Sequence, residues 1–432
     1  MPRVRGLMDL VHDSIEAITN LVEDTYEDEA QKHVDVLSSV PSLEEAAESL
    51  DAAHRATAGL VFDSIRLINR GVQQVGTVAA SLAQRALGEG AIEKVPLLAD
   101  PKGQEMVSFW VDTAQSALNA VAGDFLAARD NGLAIPMGFY QHGEPLTLTP
   151  ESLSQAIPAA TPRLCIFIHG LGCNETSWSL GAPDAYAEPD ATYGLLLARD
   201  LGYTPLYVRY NTGLHVSRNG RDLAAVLEAL VGAHPGPVQQ IVLIGHSMGG
   251  LVARSAAHYA HVDGRAWVKL LTHLLCIGTP NLGVPLEKAG NVLASLLSAF
   301  DTPGTQVPAR ILNARSPGIK DLRFGYVVDE DWTEEDPDAL LTDQSHDVPL
   351  VDSATYGFIA ARLFMDAEHP LGELLGDLLV RVPSASGTGE TTRDVPFHIG
   401  KVVHGLNHIA LLNHPDVYAQ IRCFLTEADR RS

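Results

Sequence analysis

The stretch "LIGHSMGGLVAR" (243–254) sets a serine among glycines at the end of an apolar run. Gly245-His246-Ser247-Met248-Gly249 fits G-x-S-x-G, between the strand-like "QQIVLIGHS" (239–247) and the helix-compatible "LVARSAAHYA" (251–260). A serine at such an apex sits on a strained turn where flanking side chains would collide with strand and helix, so glycine is needed beside it. The pattern predicts that Ser247 is a nucleophile whose Oγ projects into solvent beside free helix N–H groups. A merely structural glycine turn would have no need of serine at the apex.

Outward from this turn the chain alternates short apolar runs with helical stretches. "MGFYQHGEPLTL" (137–148) reads as a β-hairpin turning at His142-Gly143, and "RLCIFIHG" (163–170) as a buried strand. "TPLYVRYNT" (204–212), "LTHLLCIGTP" (271–280) and "ATYGFIAARL" (354–363) are further strands, separated by helices such as "RDLAAVLEALVGA" (221–233). This rhythm predicts a mostly parallel, doubly wound α/β sheet with right-handed crossovers and helices on both faces. Ligands of such sheets bind beyond the carboxyl ends of the strands, where these runs become glycine-rich.

Before about residue 135 the pattern is helical. A helix is expected over 6–28. A second, over 55–87, carries Val61, Ile65, Ile68, Val72, Val75, Ala79, Leu82 and Ala86 at steps of four and three. A third carries Trp110, Ala114, Leu118, Val121, Phe125 and Ala128 on one face. Residues 1–135 are therefore read as an N-terminal helical region, which could serve as a packed appendage, an oligomerisation seam or an apolar-surface anchor. Residues 136–432 are read as the catalytic domain, interrupted at 283–351 by an insertion. That insertion holds an apolar helix, "NVLASLLSAF" (291–300), and "DEDWTEEDPDALLTDQSHD" (329–347), a run with many acids and no Lys or Arg. It is either a solvated loop or a lid over the site.

Composition narrows the partners. The 432 residues are 46% hydrophobic, enough for a sizeable core, and the formal charge of −23 argues against a nucleic-acid backbone or an anionic membrane surface. Cys165, Cys173, Cys276 and Cys423 show no zinc spacing. The opening "MPRVRGLMDLVHDSIEAITN" lacks the apolar core of a signal peptide, and no run approaches a membrane span, so a cytoplasmic location is expected.

A nucleophilic serine needs oxyanion donors, a base and an acid. The N–H of Met248 follows the serine, and the loop "HGLGCNETSW" (169–178) offers the N–H of Leu171. His169 lies in that loop and is a poor base. The base is expected late, in "FHIGKVVHGLNHIALLNHPDVYAQIRCFL" (397–425), where His408, at the start of the last helical region and read as a loop histidine just beyond the last strand and before the final helix, is preferred to His404 and His414. The acid is expected between serine and base: Asp377 in "GDLLVRVPSASG" (376–387), as a loop carboxylate outside the core, with Asp329 and Asp331 as rivals.

In order, "HGLG" (169–172), "GHSMGG" (245–250), "GTPNLG" (278–283), "GDLLVRVPSASG" (376–387) and "LNHIALLNHPDVY" (406–418) resemble the α/β-hydrolase superfamily. Within it they are similar to the lipase-like branch that includes bacterial triacylglycerol lipases and PGAP1-like serine esterases. The resemblance spans roughly 137–425. It implies a Ser247-Asp377-His408 triad with Leu171 and Met248 as oxyanion donors. Two departures stand out: Asp377-Leu378 replaces the Asp-Gly common in that branch, and the N-terminal helices have no counterpart in the secreted lipases.

The expected activity is a serine carboxylic-ester hydrolase working through an acyl-enzyme, on a small-molecule ester or lipid with an apolar acyl chain, and needing no metal or organic cofactor. The alternatives are a thioesterase or amidase using the same triad, or a lipid- or partner-binding protein whose helical region carries the main role.

Overall fold

The computed structural model describes residues 101–141, 143–186, 188, 191–284, 316–333, 345–364, 376–389 and 394–428. The helices expected over 6–28 and 55–87, the apolar segment 291–300 and the acidic residues 334–344 lie outside these. By contacts the chain divides into two units, Met1–Ala117 with Leu293–Ala314, and Leu118–Val292 with Arg315–Ser432. In the first, helix α1 (Pro101–Ala127) begins, with Thr113 Oγ1 donating to Phe109 O at 2.8 Å.

The second unit is built on an eight-stranded sheet. Its strands are β1 (Gly138–Gln141), β2 (Glu144–Pro145), β3 (Arg163–Ile168), β4 (Thr204–Arg209), β5 (Gln240–His246), β6 (Leu271–Ile277), β7 (Thr355–Arg362) and β8 (Ile399–His404). They lie in the order β2-β1-β4-β3-β5-β6-β7-β8. The β1–β2 hairpin is antiparallel and β1 is antiparallel to β4; all other pairs are parallel. Central strands β3, β5 and β6 are almost wholly buried, which is why they read as unbroken apolar runs.

Between the strands lie α2 (Pro150–Ala156), α3 (Ala182–Tyr186), α4 (Tyr193–Leu201), α5 (Val216–Ala233), α6 (Met248–Val262), α7 (Pro317–Phe324), α8 (Glu330–Thr333) and α9 (Val382–Ser386), and α10 (Pro415–Ala428) follows β8. Among the described residues no helix is long and apolar enough to cross a membrane.

Two sequence readings change. Helix α5 starts at Val216, five residues before the expected 221, because the buried Asp321 carboxylate accepts its first N–H at 2.7 Å. From Leu118 onward the expected stripe on α1 faces the core only at Val121: Leu118 and Phe125 are exposed, whereas Ala120 and Leu126, off the stripe, are buried with Val121. Polar bonds set that orientation. Asn119 bonds Leu133 O and the N–H of Ile135, and Asn211 donates to Gly123 O. His408 lies where a loop histidine was expected, between β8 and α10, which begins at Pro415.

Candidate active site

The carboxyl ends of β3, β5, β6 and β7 meet at Ser247. Its φ is 54° and ψ −125°, a strained left-handed conformation for a side-chain-bearing residue. Its N–H donates to Ile277 O at the end of β6 (2.8 Å), and Gly278 N–H donates in turn to Ile359 O of β7 (2.8 Å). The flanking glycines are sterically required. A β-carbon on Gly245 would stand 2.4 Å from the backbone of Gly249 and Gly250, and one on Gly249 would stand 2.1 Å from Ile168 O. Helix α6 thus seats directly on the end of β3.

Contrary to the expectation of a solvent-projecting serine, Ser247 is only 1% exposed. The loop after β3 closes over it: a β-carbon on Gly170 would lie 3.0 Å from Ser247 Cβ. In that loop Leu171 is fully buried. Neither the Leu171 nor the Met248 backbone N–H donates to a described residue.

His408 Nδ1 donates to Asp377 Oδ2 at 2.7 Å, with both side chains almost completely buried. The His408 N–H donates to Asp377 O at 3.0 Å, so one residue holds both the ring and the backbone of the other. The remaining ring nitrogen, Nε2, is buried without a hydrogen-bond partner. The ring packs on Gly278, where a β-carbon would stand 3.2 Å from Cε1. His408 therefore lies beside the β5–β6 ends that carry Ser247, with an unsatisfied acceptor.

Asp377 is not the solvated loop carboxylate expected from sequence. It is 1% exposed, and its Oδ1 accepts the N–H groups of Leu379 (2.9 Å) and Val380 (2.7 Å). The intervening Leu378 takes φ 83° to let this turn close.

The rival residues have other partners. His169 stacks on Tyr210 with ring centroids 4.5 Å apart, and its Nδ1 donates to Gly170 O; burial pushes its pKa down to about 3. His404 ends strand β8 opposite Arg362. His414 precedes α10, where its carbonyl accepts from Tyr418 and its Nδ1 from the N–H of Asp416. Asp329 pairs with Arg221 at 2.7 Å, and Asp331 accepts the N–H groups of Val327, Val328 and His346. Cys173 and Cys276 are held as thiols, pushed up to about 12 by burial. Among the described residues no group of three or more His, Cys, Asp or Glu is placed to hold a metal ion.

Sequence reasoning passed over the ion pair between Glu175 and Arg209, both buried. Arg209 Nε donates to Glu175 Oε2 at 2.6 Å. Its neighbour Tyr210 donates its hydroxyl to His169 O (2.7 Å), and Thr212 Oγ1 accepts from the N–H of Gly172 (3.1 Å). The end of β4 thus holds the 169–175 loop at three points. The signal was Arg209 itself, a charge inside the apolar run "TPLYVRYNT", which burial permits only with a partner.

A fold of this topology, with a serine on a glycine-flanked turn after β5, is that of a hydrolase. The model of the Alpha/beta hydrolase family matches residues 165–421, more than half of the chain, and the chain belongs to that family. Among solved structures, the chain is similar to the mature lipase BlEst2 of Bacillus licheniformis, with 17% identity and a TM-score of 0.39 over 63% of this chain and 93% of that one. It is also similar to phospholipase PlaB from Legionella pneumophila (19%, TM-score 0.38, 61% and 60% of the chains). A third is the RedJ thioesterase of Streptomyces coelicolor (17%, TM-score 0.34, 63% and 91%). No curated protein matches the chain.

Proposed function

We propose that the chain is a serine carboxylic-ester hydrolase of the lipase-like branch, acting through an acyl-enzyme. What supports this most is the buried Asp377–His408 pair, with Nε2 of His408 unpartnered, packed beside the strand ends that carry Ser247 on its strained turn. Ser247 Oγ attacks the ester carbonyl as His408 Nε2 takes its proton. The N–H groups of Leu171 and Met248 receive the oxyanion. His408 then returns the proton to the leaving alcohol. Asp377 holds the imidazole with its proton on Nδ1, and water repeats the cycle to release the acid.

The substrate proposed is a small ester or lipid with an apolar acyl chain, a reading that rests on the apolar sequence "NVLASLLSAF" (291–300) and treats 283–351 as an insertion in the catalytic domain. The catalytic domain proposed is 136–432, and the location cytoplasmic. The test is hydrolysis of a p-nitrophenyl ester chain-length series beside acyl-CoA thioesters, by wild type and Ser247→Ala. Ester turnover abolished in Ser247→Ala supports the reading. Turnover retained in that variant, or thioesters strongly preferred by the wild type, overturns it.

A further inference from the structure

His246 is the variable position of G-x-S-x-G, and the motif gives it no task. In the fold it is the last residue of β5 and fully buried. Burying an imidazole is costly unless its polar atoms find partners. One does: Nε2 lies 3.1 Å from the backbone carbonyl of His408. A carbonyl oxygen only accepts, so Nε2 carries the proton and donates. The other nitrogen, Nδ1, is buried with no partner, and a proton there would have no acceptor. The ring is therefore neutral, in the Nε2–H form; in keeping with this, burial holds it well below the ordinary imidazole range.

We infer that His246 is a positioning residue, whose hydrogen bond to the backbone of His408 ties the Asp377–His408 pair to the strand that presents Ser247. This rests on the triad reading above. Among the described residues, two of the three hydrogen bonds that hold His408 run to Asp377, from its ring Nδ1 and from its backbone N–H. Both would survive if the pair moved together relative to the serine. The third bond runs to the residue covalently joined to Ser247. It is the one that fixes the distance across which a proton must pass.

The surroundings fit this role. The His246 and His408 rings lie 4.7 Å apart and tilted by 48°, and Trp178 packs edge-on against His246 at 6.3 Å. Gly170 leaves room at the other edge, since a β-carbon there would stand 3.4 Å from His246 Nδ1. An error of about 1 Å in such a constellation lowers rates by roughly 10²-fold.

The test compares His246→Leu, which keeps the bulk and removes the donor, with His246→Gln, whose amide NH₂ can reach the same carbonyl. With p-nitrophenyl butyrate, the expected result is a fall in kcat of roughly 10- to 100-fold for His246→Leu, KM changing by less than about threefold, and recovery of most of the loss in His246→Gln. A kcat for His246→Leu equal to wild type, or a folded His246→Gln no better than His246→Leu, overturns the inference. ¹⁵N spectra of the imidazoles give a readout independent of turnover. In the wild type His246 should be protonated at Nε2 and bare at Nδ1, and the His408 signals should shift in His246→Leu. A wild-type His246 protonated at Nδ1 overturns it even if the variants prove hard to fold, and so do His408 signals unmoved in a folded His246→Leu. Ser247→Ala measured alongside separates the two claims: activity retained there counts against the triad, whereas unmoved His408 signals count against the clamp alone.

Discussion

At the scale of single residues, the burial of Asp377 changes what its substitution should do. Asn at this position has a single acceptor: kept on the N–H groups of Leu379 and Val380, it turns an NH₂ group toward the Nδ1–H of His408, and flipped it turns that NH₂ group against the two backbone N–H donors. Under the proposed mechanism Asp377→Asn should lower kcat by roughly 10³- to 10⁴-fold. It should also lower stability by about 1–3 kcal/mol, because a buried bonded group loses its match. Urea unfolding beside ester kinetics checks both; a dead enzyme of unchanged stability would mean that the turn 377–380 does not depend on the carboxylate. Next door, Leu378 occupies φ 83° where the resembled lipases commonly carry glycine. A left-handed conformation costs a residue with a side chain about 1–2 kcal/mol. Glycine loses roughly 0.5–1 kcal/mol in unfolded-state entropy, and the Leu378 side chain, 37% exposed, gives up little burial. The balance favours Leu378→Gly by up to about 1 kcal/mol, read as a rise in the urea midpoint; a fall would show that the leucine packs usefully.

At the scale of elements, the seat of α6 on β3 depends on glycine. A β-carbon on Gly249 meets Ile168 O at 2.1 Å and His169 O at 2.6 Å, both backbone atoms that cannot swing aside. Gly249→Ala should therefore push the helix off the strand, separating the Met248 and Leu171 N–H groups, with activity lost and stability reduced by several kcal/mol, on the order of a severe core overpacking. Gly232→Ala, in α5 with nothing within 4 Å of the added carbon, should instead stabilise by about 0.5–1 kcal/mol. Thermal melts of the pair decide it, and equal effects would defeat the steric argument. Elements of this kind were readable because buried parallel strands are continuous apolar runs ending in glycine. The β3, β5, β6 and β7 runs fall within a few residues of their expected bounds. Orientation and burial were less readable. The outward turn of Leu118 and Phe125 follows from Asn119 and Asn211 bonding distant backbone, and the Glu175–Arg209 pair joins the loop after β3 to the end of β4. Periodicity weighs apolar positions and is blind to such long-range polar partners. Ser247, Asp377 and His408 could be singled out because each sits at a motif in chain order. Their enclosure could not, since it comes from Gly170 and Gly278 letting separate loops close together.

For the molecule as a whole, two electrostatic effects oppose each other as the pH falls below 7. The formal charge of −23 shrinks as carboxylates take up protons, which relieves self-repulsion and favours the compact state. Buried neutral imidazoles act the other way. In the unfolded chain a histidine takes its proton near pH 6.5. Folded, His169 does so only at about 3, and His246 is held well below its ordinary value, in both cases chiefly by burial. Below pH 6.5 the unfolded chain therefore binds more protons at these two sites. The stability they contribute is complete above that pH and drains away as the pH falls toward their folded values, at up to about 1.4 kcal/mol per pH unit for each. His258 shifts in the same direction, being half-buried. Asp321, whose buried carboxyl is raised, has the opposite sign, so the comparison is best kept above pH 5. Relief of self-repulsion is shared by the wild type and a single variant, and it cancels between them. The expected outcome, from urea unfolding at half-unit steps between pH 6.5 and 5, is a slope of stability against pH that is shallower in His246→Gln than in the wild type by about one proton's worth, or roughly 1.4 kcal/mol per unit at the acid end. Parallel slopes would mean that His246 takes up its proton in the folded protein over this range.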